Sequence, residues 1–292
     1  MGNRVISGKT RICGIIGDPI EHTMSPVMHN AAFNQLGIDY LYVPFRVRKE
    51  ELGKAIGGMR ALNIRGLNVT IPHKVAVIPF LDELDPLAEK INAVNTIAND
   101  EGILTGYNTD ATGFLQALLD REVELEGKNM VILGAGGASR AISFILAERG
   151  AHLIILNRLL ELDWAEELAS RISQIFTKEV EALELTDENL VKVLEKADIL
   201  VNATSVGMSP NVDEIPVPAN LLKPSLIVFD IVYNPIKTRL LREAEAAGAE
   251  TIGGLDMLVW QGALAFEKWT GLKAPVELMK KEAIKVLEGR EN

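Results

Sequence analysis

Cysteine is almost missing from this 292-residue chain, which has a single one, Cys13. One thiol cannot close an internal disulfide, so the composition fits a reducing cytoplasm, and within the apolar run RICGII Cys13 reads as a small core filler. Histidine is nearly as scarce. His22, His29, His73 and His152 share no spacing that suits a metal, and no metal site is expected. Basic residues number 30 against 40 acidic, a net charge of −10, which argues against nucleic acid or an anionic membrane as partner. Any phosphate site must therefore be local, built from helix N-termini and a few arginines. The apolar stretch in the middle of the chain is interrupted by Arg140, so no segment reads as membrane-spanning. The opening MGNRVISGKT has no apolar signal core, and Ile6 stands where a myristoylation signal needs Ser or Thr. Internal repeats, low-complexity tracts and long linkers are missing too. What remains is a soluble globular chain long enough for two domains.

The most informative stretch that is present is VILGAGGASRA, Val131 to Ala141. Apolar residues end at Leu133, Gly134, Gly136 and Gly137 make a tight turn, and small residues open an apolar run to Ala147. A strand, a glycine turn and a helix N-terminus in that order converge backbone N–H groups and the positive helix end on one point, which suits a pyrophosphate. The turn lies near mid-chain, so a separate domain of about a hundred residues precedes it.

Before the turn, apolar runs predict strands at 11–17, 39–47 and 66–71, with helices from Ser25-Pro26 to Gly37 and over 50–63. Helical segments are expected around 74–84 and 86–92, then a hairpin-like pair from AVNTIAND and GILTGYN. After it, strands at 129–134, 152–157, 197–204 and 225–232 alternate with helices at about 138–149, 164–175, 187–196 and 237–247. Continuous apolar strands alternating with helices predict a parallel, doubly wound sheet. A last strand near 249–253 and apolar helices from Leu255 complete the chain. The expected organisation is α/β with a substrate domain at 1–113, a Rossmann-like dinucleotide domain at 114–254, and helices at 255–292 returning to the first domain.

The strand after the glycine turn ends at Asn157-Arg158, 23 residues beyond Gly134, close to where a dinucleotide ribose is met. An NAD site normally places a carboxylate there. A neutral amide and a guanidinium instead favour the 2′-phosphate of NADP, although an arginine at a strand end also serves simply as a solvated charge. Four polar clusters lie outside this domain or at its edge. HTMSP carries Thr23 and Ser25, of which Ser25 is equally suited to cap a helix. NVTIPHK places Asn68 and Thr70 on one strand face with Lys74 just beyond. NAVNT holds Asn95, and GYNTD brings Asp110 to a turn where capping is again the plain role.

In order and spacing, HTMSP, NVTIPHK, NAVNT and GYNTD, followed by GAGGASRA, NR, NATSVGM, DIVYNP and GGLDMLVWQ, resemble the shikimate dehydrogenase family and its quinate-using relatives, over residues 11 to about 285. The resemblance implies NADP-linked, reversible reduction of 3-dehydroshikimate to shikimate in the pathway to aromatic amino acids. It implies Lys74 and Asp110 as the catalytic pair, both also touching substrate. It gives Thr23 and Ser25 the substrate carboxylate, Thr70, Asn95 and Gln261 further substrate contacts, and Tyr233 the domain junction. Gly134, Ala135, Gly136, Gly137 and Ala138 match the pyrophosphate turn, Asn157 and Arg158 the adenosine ribose-phosphate contacts, and Ile231 and Gly254 the nicotinamide lining. The implied partner is a small molecule, and the implied assembly a monomer or homodimer.

Hydride transfer to a ketone builds negative charge on oxygen, and a nearby ammonium both stabilises that charge and delivers a proton. The sequence departs from the family in two places. Thr23 stands where a serine is common, and Leu159 and Leu162 replace a threonine and a second base, leaving Arg158 and Asn157 to carry the coenzyme preference. A dual-coenzyme quinate/shikimate dehydrogenase is the nearest rival. A non-catalytic dinucleotide-binding regulator is a further one, against which the pairing of Lys74 with Asp110 argues.

Overall fold

Six strands of the N-terminal part form one mixed sheet. The computed structural model describes residues 6–291; Met1–Val5, inside the opening stretch read above, and Asn292, at the end of the expected C-terminal segment, lie outside the described residues. In chain order come β1 (Arg11–Gly17), α1 (Ser25–Gln35), β2 (Tyr40–Arg46), α2 (Leu52–Ala61), β3 (Gly66–Val69), β4 (Glu83–Leu84), α3 (Pro86–Ile91), β5 (Thr96–Asp100) and β6 (Ile103–Tyr107). The strand order is β2-β1-β3-β5-β6-β4. β1 pairs in parallel with β2 and β3, and the hairpin β5-β6 runs antiparallel, joining β3 through β5. Ile16, Ile56, Met59, Leu67, Val69 and Ile97 are among the core residues of this sheet.

The chain continues through α4 (Thr109–Leu119), β7 (Asn129–Leu133), α5 (Gly137–Glu148), β8 (His152–Asn157), α6 (Leu162–Phe176), β9 (Glu181–Glu184), α7 (Asp187–Leu194), β10 (Ile199–Asn202), β11 (Ile227–Asp230), α8 (Arg239–Ala246), β12 (Glu250–Gly253), α9 (Gly254–Thr270) and α10 (Val276–Glu291). Its six strands pair in parallel throughout, in the order β12-β11-β10-β7-β8-β9. The chain winds outward from β7 to β9, returns to β10 and winds the other way, so the sheet reverses between β7 and β10, where Leu133 stands opposite Asn202. That is the doubly wound order, with its switch point at the glycine turn. The α/β fold class expected from the sequence is the observed one. Among the described residues no helix is long and apolar enough to cross a membrane.

Two compact units result. One runs up to Thr109 and takes in Gln261–Glu288; the other spans Asp110–Trp260. Both transitions fall inside helices, α4 and α9, a few residues from the 113/114 and 254/255 boundaries of the sequence reading. Within the first unit, the later part of α9 closes an aromatic cluster. His29 stacks on Tyr42 at 4.4 Å and meets Trp269 at 5.2 Å. Burial pushes the His29 pKa down to about 3, so it packs as a neutral ring. The Trp269 indole donates to Ile97 O at 3.0 Å, and Arg65 Nε donates to Trp269 O at 2.8 Å. Gly66 leaves the room: a Cβ there would overlap the indole.

The helix expected over 74–84 does not form. Pro79 lacks an N–H and disfavours helical geometry before it, and the segment becomes turns, one 3₁₀ turn at Ile78–Phe80, and β4. β9 was also not expected, because EALE carries two carboxylates and little apolar character as an edge strand.

A buried carboxylate ties the second unit's loops. Asp230, at the end of β11 and 0% exposed, accepts from Asn202 Nδ2 at 2.9 Å, Val232 N at 3.0 Å and Thr238 Oγ1 at 2.7 Å. Thr238 caps α8, accepting from Leu241 N, and Asn202 Oδ1 accepts from Thr204 N and Oγ1. Burial pushes the Asp230 pKa up to about 6, with the three donors opposing the rise.

Two outcomes follow from this packing. Gly66→Ala displaces the indole and costs about 2–4 kcal/mol through overpacking and a lost hydrogen bond, measured by urea denaturation; a loss under about 0.5 kcal/mol contradicts the contact. For Asp230, the folded carboxyl keeps its proton to about pH 6 and the unfolded one to about its ordinary 3.8. Between these values the folded state binds more protons, so stability falls as pH rises. Relative to wild type, Asp230→Asn therefore gains about 2 kcal/mol in unfolding free energy between pH 4 and pH 7. An unchanged difference across that range contradicts the buried charge.

Candidate functional site

The polar clusters of the sequence lie after β1, along and after β3, at the start of β5, and between β6 and α4. α1 begins at Ser25 with Met24 as its N-cap and no side-chain capping bond, so Ser25 is not the cap. The hydroxyl that meets the helix start is Thr23 Oγ1, which accepts from Ser25 N at 3.3 Å. Ser25 is 3% exposed and neighbours Tyr42, whose phenol burial pushes up in pKa while the Ser25 side chain opposes the rise.

Tyr42 starts a buried relay of polar side chains. Its hydroxyl donates to Asn68 Oδ1 at 2.6 Å, and Asn68 Nδ2 donates to Thr96 Oγ1 at 3.1 Å and to Asn95 O at 3.3 Å. Asn95 reaches forward to α4: its Oδ1 accepts from Thr109 N at 2.7 Å, and its Nδ2 donates to Thr109 Oγ1 at 2.9 Å. A side chain from the edge of β5 thus satisfies an orphan N–H of a helix start, the task of an N-cap. Asp110 follows Thr109 directly, in the first turn of α4 and buried; it is a helix residue, not the cap of its turn.

Thr70 continues β3, donating its backbone N–H to Ile16 O at 3.0 Å, with its methyl so close to Gly17 that a Cβ there would overlap it. Lys74 sits in the turns that replace the expected helix. The buried His73 next to it bonds Val47 O through Nε2 at 2.7 Å, and Lys74 O accepts from Val94 N at 2.8 Å. The turn is pinned on both sides of the lysine. Gln261 opens the α9 segment of this unit and is half-buried.

In the second unit, Gly134 has φ +95°, a left-handed conformation that favours glycine, and a Cβ would stand 3.0 Å from Thr204 Cγ2 and 3.2 Å from Ala203 O. Ala135 follows it, buried. Gly136 is the N-cap of α5 and supplies no side-chain acceptor, and nothing lies within 4 Å of where its Cβ would be. Gly137 and Ala138 open the helix, and Ser139 Oγ donates back to Gly134 O at 2.6 Å. An uncapped helix start facing open space at a switch point is a cradle for a diphosphate. Ile231 and Gly254 belong together: a Cβ on Gly254 would overlap the Ile231 carbonyl. Asp230 fixes the same strand end. Tyr233 follows in the same loop, half-buried.

Asn157 ends β8 and Arg158 follows it, at the start of a 3₁₀ turn over Leu159–Glu161. Asn157 is 5% exposed and donates through Nδ2 to Glu161 O at 2.6 Å. Arg158 points outward and pairs with Glu161 Oε2 at 2.7 Å. Sequence reasoning passed over Tyr42, Thr96, Thr109 and Glu161. Only Glu161 carried a local signal, an acid three residues beyond the arginine. Among the described residues no group of three or more His, Cys, Asp or Glu is arranged to hold a metal.

Known proteins match this arrangement along most of its length. The family models for the shikimate dehydrogenase substrate binding domain, shikimate/quinate 5-dehydrogenase and the shikimate 5′-dehydrogenase C-terminal domain match residues 15–97, 117–233 and 254–284. The shikimate dehydrogenase (NADP(+)) of Methanopyrus kandleri is 50% identical over 97% of this chain and 98% of its own. A solved shikimate dehydrogenase in complex with NADP+ superposes with a TM-score of 0.90 at 44% identity, covering 97% of this chain and 98% of its own. The shikimate 5-dehydrogenase of Listeria monocytogenes, solved with shikimate and NAD, gives a TM-score of 0.88 at 43% identity over 95% and 98%. The chain belongs to the shikimate dehydrogenase family.

Proposed function

We propose that this protein is an NADP-dependent shikimate dehydrogenase that reversibly reduces 3-dehydroshikimate to shikimate. The observation that carries the reading is the co-occurrence of two built sites: a buried polar relay from Tyr42 through Asn68 to Asn95, with Ser25 beside Tyr42, in the first unit, and a glycine cradle at the switch point of the second. When bound, the dinucleotide supplies or takes the hydride. Gly134 to Ala138 hold its diphosphate, Asn157 and Arg158 its adenosine ribose and 2′-phosphate, and Ile231 and Gly254 line the nicotinamide. Thr23 and Ser25 donate to the substrate carboxylate. Thr70, Asn95 and Gln261 bind further oxygens of the substrate, and Tyr233 is a further substrate-binding residue.

Lys74 and Asp110 are the acid–base pair. Reduction moves negative charge onto the carbonyl oxygen, where the Lys74 ammonium stabilises it and donates the proton. Asp110 orients the ammonium and accepts from a substrate hydroxyl. In the reverse direction Lys74 takes the alcohol proton back. A monomer or homodimer in the cytoplasm completes the reading, and sedimentation velocity reads the assembly directly.

Initial rates for shikimate and quinate, each with NADP and NAD, test the assignment; turnover with NAD comparable to that with NADP moves it to the dual-coenzyme quinate/shikimate rival. Lys74→Ala lowers turnover by roughly 10²–10⁴, or about 3–5 kcal/mol, with coenzyme affinity retained. Turnover within a few-fold of wild type removes Lys74 from the mechanism. Thr23→Ala and Ser25→Ala raise KM for shikimate more than they lower kcat, because a carboxylate grip acts in ground and transition states alike. Equal turnover of shikimate and its carboxamide analogue would sink the proposed grip.

A further inference from the structure

Arg158 reaches the surface already holding an anion. Its Nη2 pairs with Glu161 Oε2 at 2.7 Å, and the guanidinium side chain is 72% exposed against 28% for the carboxylate. The carboxylate is therefore the better-enclosed member, and its backbone is fixed from both sides. Glu161 N donates to Arg158 O at 2.9 Å, and Glu161 O accepts from Asn157 Nδ2 at 2.6 Å. Three bonds thus tie Glu161 to the two residues placed against the adenosine ribose. Around them the turn holds no second base: Leu159 and Leu160 are exposed, Leu162 begins α6, and the next charge is Asp163.

We infer that Glu161 is a specificity-determining residue that restrains the preference for NADP over NAD by occupying Arg158 in place of the 2′-phosphate. The inference rests on the reading of Arg158 as the 2′-phosphate partner and deepens it. A ligand phosphate carries between one and two negative charges near neutral pH, and it must share one guanidinium with a carboxylate that the backbone holds in place. Part of the attraction between Arg158 and the phosphate is spent on breaking the internal pair, and the remainder is opposed by repulsion between the two anions. A ligand with a free 2′-hydroxyl meets neither opposition, and the carboxylate stands ready to accept from it. Discrimination against NAD is accordingly shallow in the wild type, where one arginine works against one acid.

Binding of 2′,5′-ADP and of ADP, measured by calorimetry on the whole chain, tests this without reference to turnover. Wild type prefers 2′,5′-ADP by roughly tenfold or less, and Arg158→Ala abolishes that preference. Glu161→Gln keeps the backbone bonds and the side-chain shape while removing the charge. It tightens 2′,5′-ADP by roughly 5- to 20-fold with ADP little changed, and the gain shrinks with added salt. Asp163→Asn removes an equal charge from the same turn without touching Arg158, and changes the ratio of the two affinities less than twofold. If Glu161→Gln leaves the ratio unaltered while Arg158→Ala still abolishes it, Glu161 has no such role. Equal gains from Asp163→Asn and Glu161→Gln overturn the inference in favour of net charge alone. Should Arg158→Ala leave the ratio unchanged as well, the reading of Arg158 itself fails.

Discussion

The Asn95 side chain is the contact on which the substrate unit turns. One amide satisfies the first N–H of α4 and the Thr109 hydroxyl together, while the carbonyl of the same residue receives Asn68. A helix start needs a partner for its N–H groups, and here the partner comes from β5 instead of from the residue before the helix. The start of α4 at Thr109 is consequently tied to the sheet. Replacing this cap by a local serine would satisfy the helix equally well and lose the link. The cost of the arrangement is a row of buried amides and hydroxyls, each of which must find a partner. Tyr42, Asn68, Thr96 and Thr109 are those partners.

The coenzyme unit solves the same problem with a charge. Asp230 gathers three donors from β10, its own loop and the cap of α8, so one carboxylate sets the loops that follow β10 and β11. Burial opposes its ionisation, which an amide in the same place would avoid. A carboxylate accepts at four lone-pair sites where an amide oxygen accepts at two, and the number of converging donors explains the choice. Both units therefore rest their functional loops on buried polar knots beneath an ordinary apolar sheet.

Periodicity made the parallel sheet and its glycine turn legible in the sequence, because continuous apolar strands and a left-handed glycine leave direct marks. The four polar clusters were legible as motifs, and their resemblance to one family supplied the roles. Geometry that depends on distant partners left no such mark. Tyr42 looked like any aromatic in a strand, yet it meets Asn68 of β3 across β1. The 74–84 segment has helical composition, but Pro79 and the pinning of His73 to Val47 hold it open. Ser25 and Asp110 sat where caps belong, and neither is one, since Met24 and Asn95 fill those places. Glu161 was hidden for a different reason: an acid beside an arginine at a strand end reads as surface charge until its backbone is seen to be tied down.

The space over Gly66 has a consequence for the order in which the molecule is completed. Its occupant, Trp269, is synthesised only after the long stretch of the second unit from Asp110 to Trp260, so the half of the protein that leaves the ribosome first is finished by a part that leaves late. The second unit, continuous from Asp110 to Trp260, contains all six of its strands before that moment. The usual sequence of N-terminal domain first is thereby inverted. Until α9 arrives, the growing chain carries an uncovered patch of aromatic rings, Phe33 and His29 of α1 and Tyr42 of β2, waiting for their lid. A premature stop or a proteolytic cut shortly after Trp260 strikes the N-terminal substrate fold and spares the dinucleotide fold.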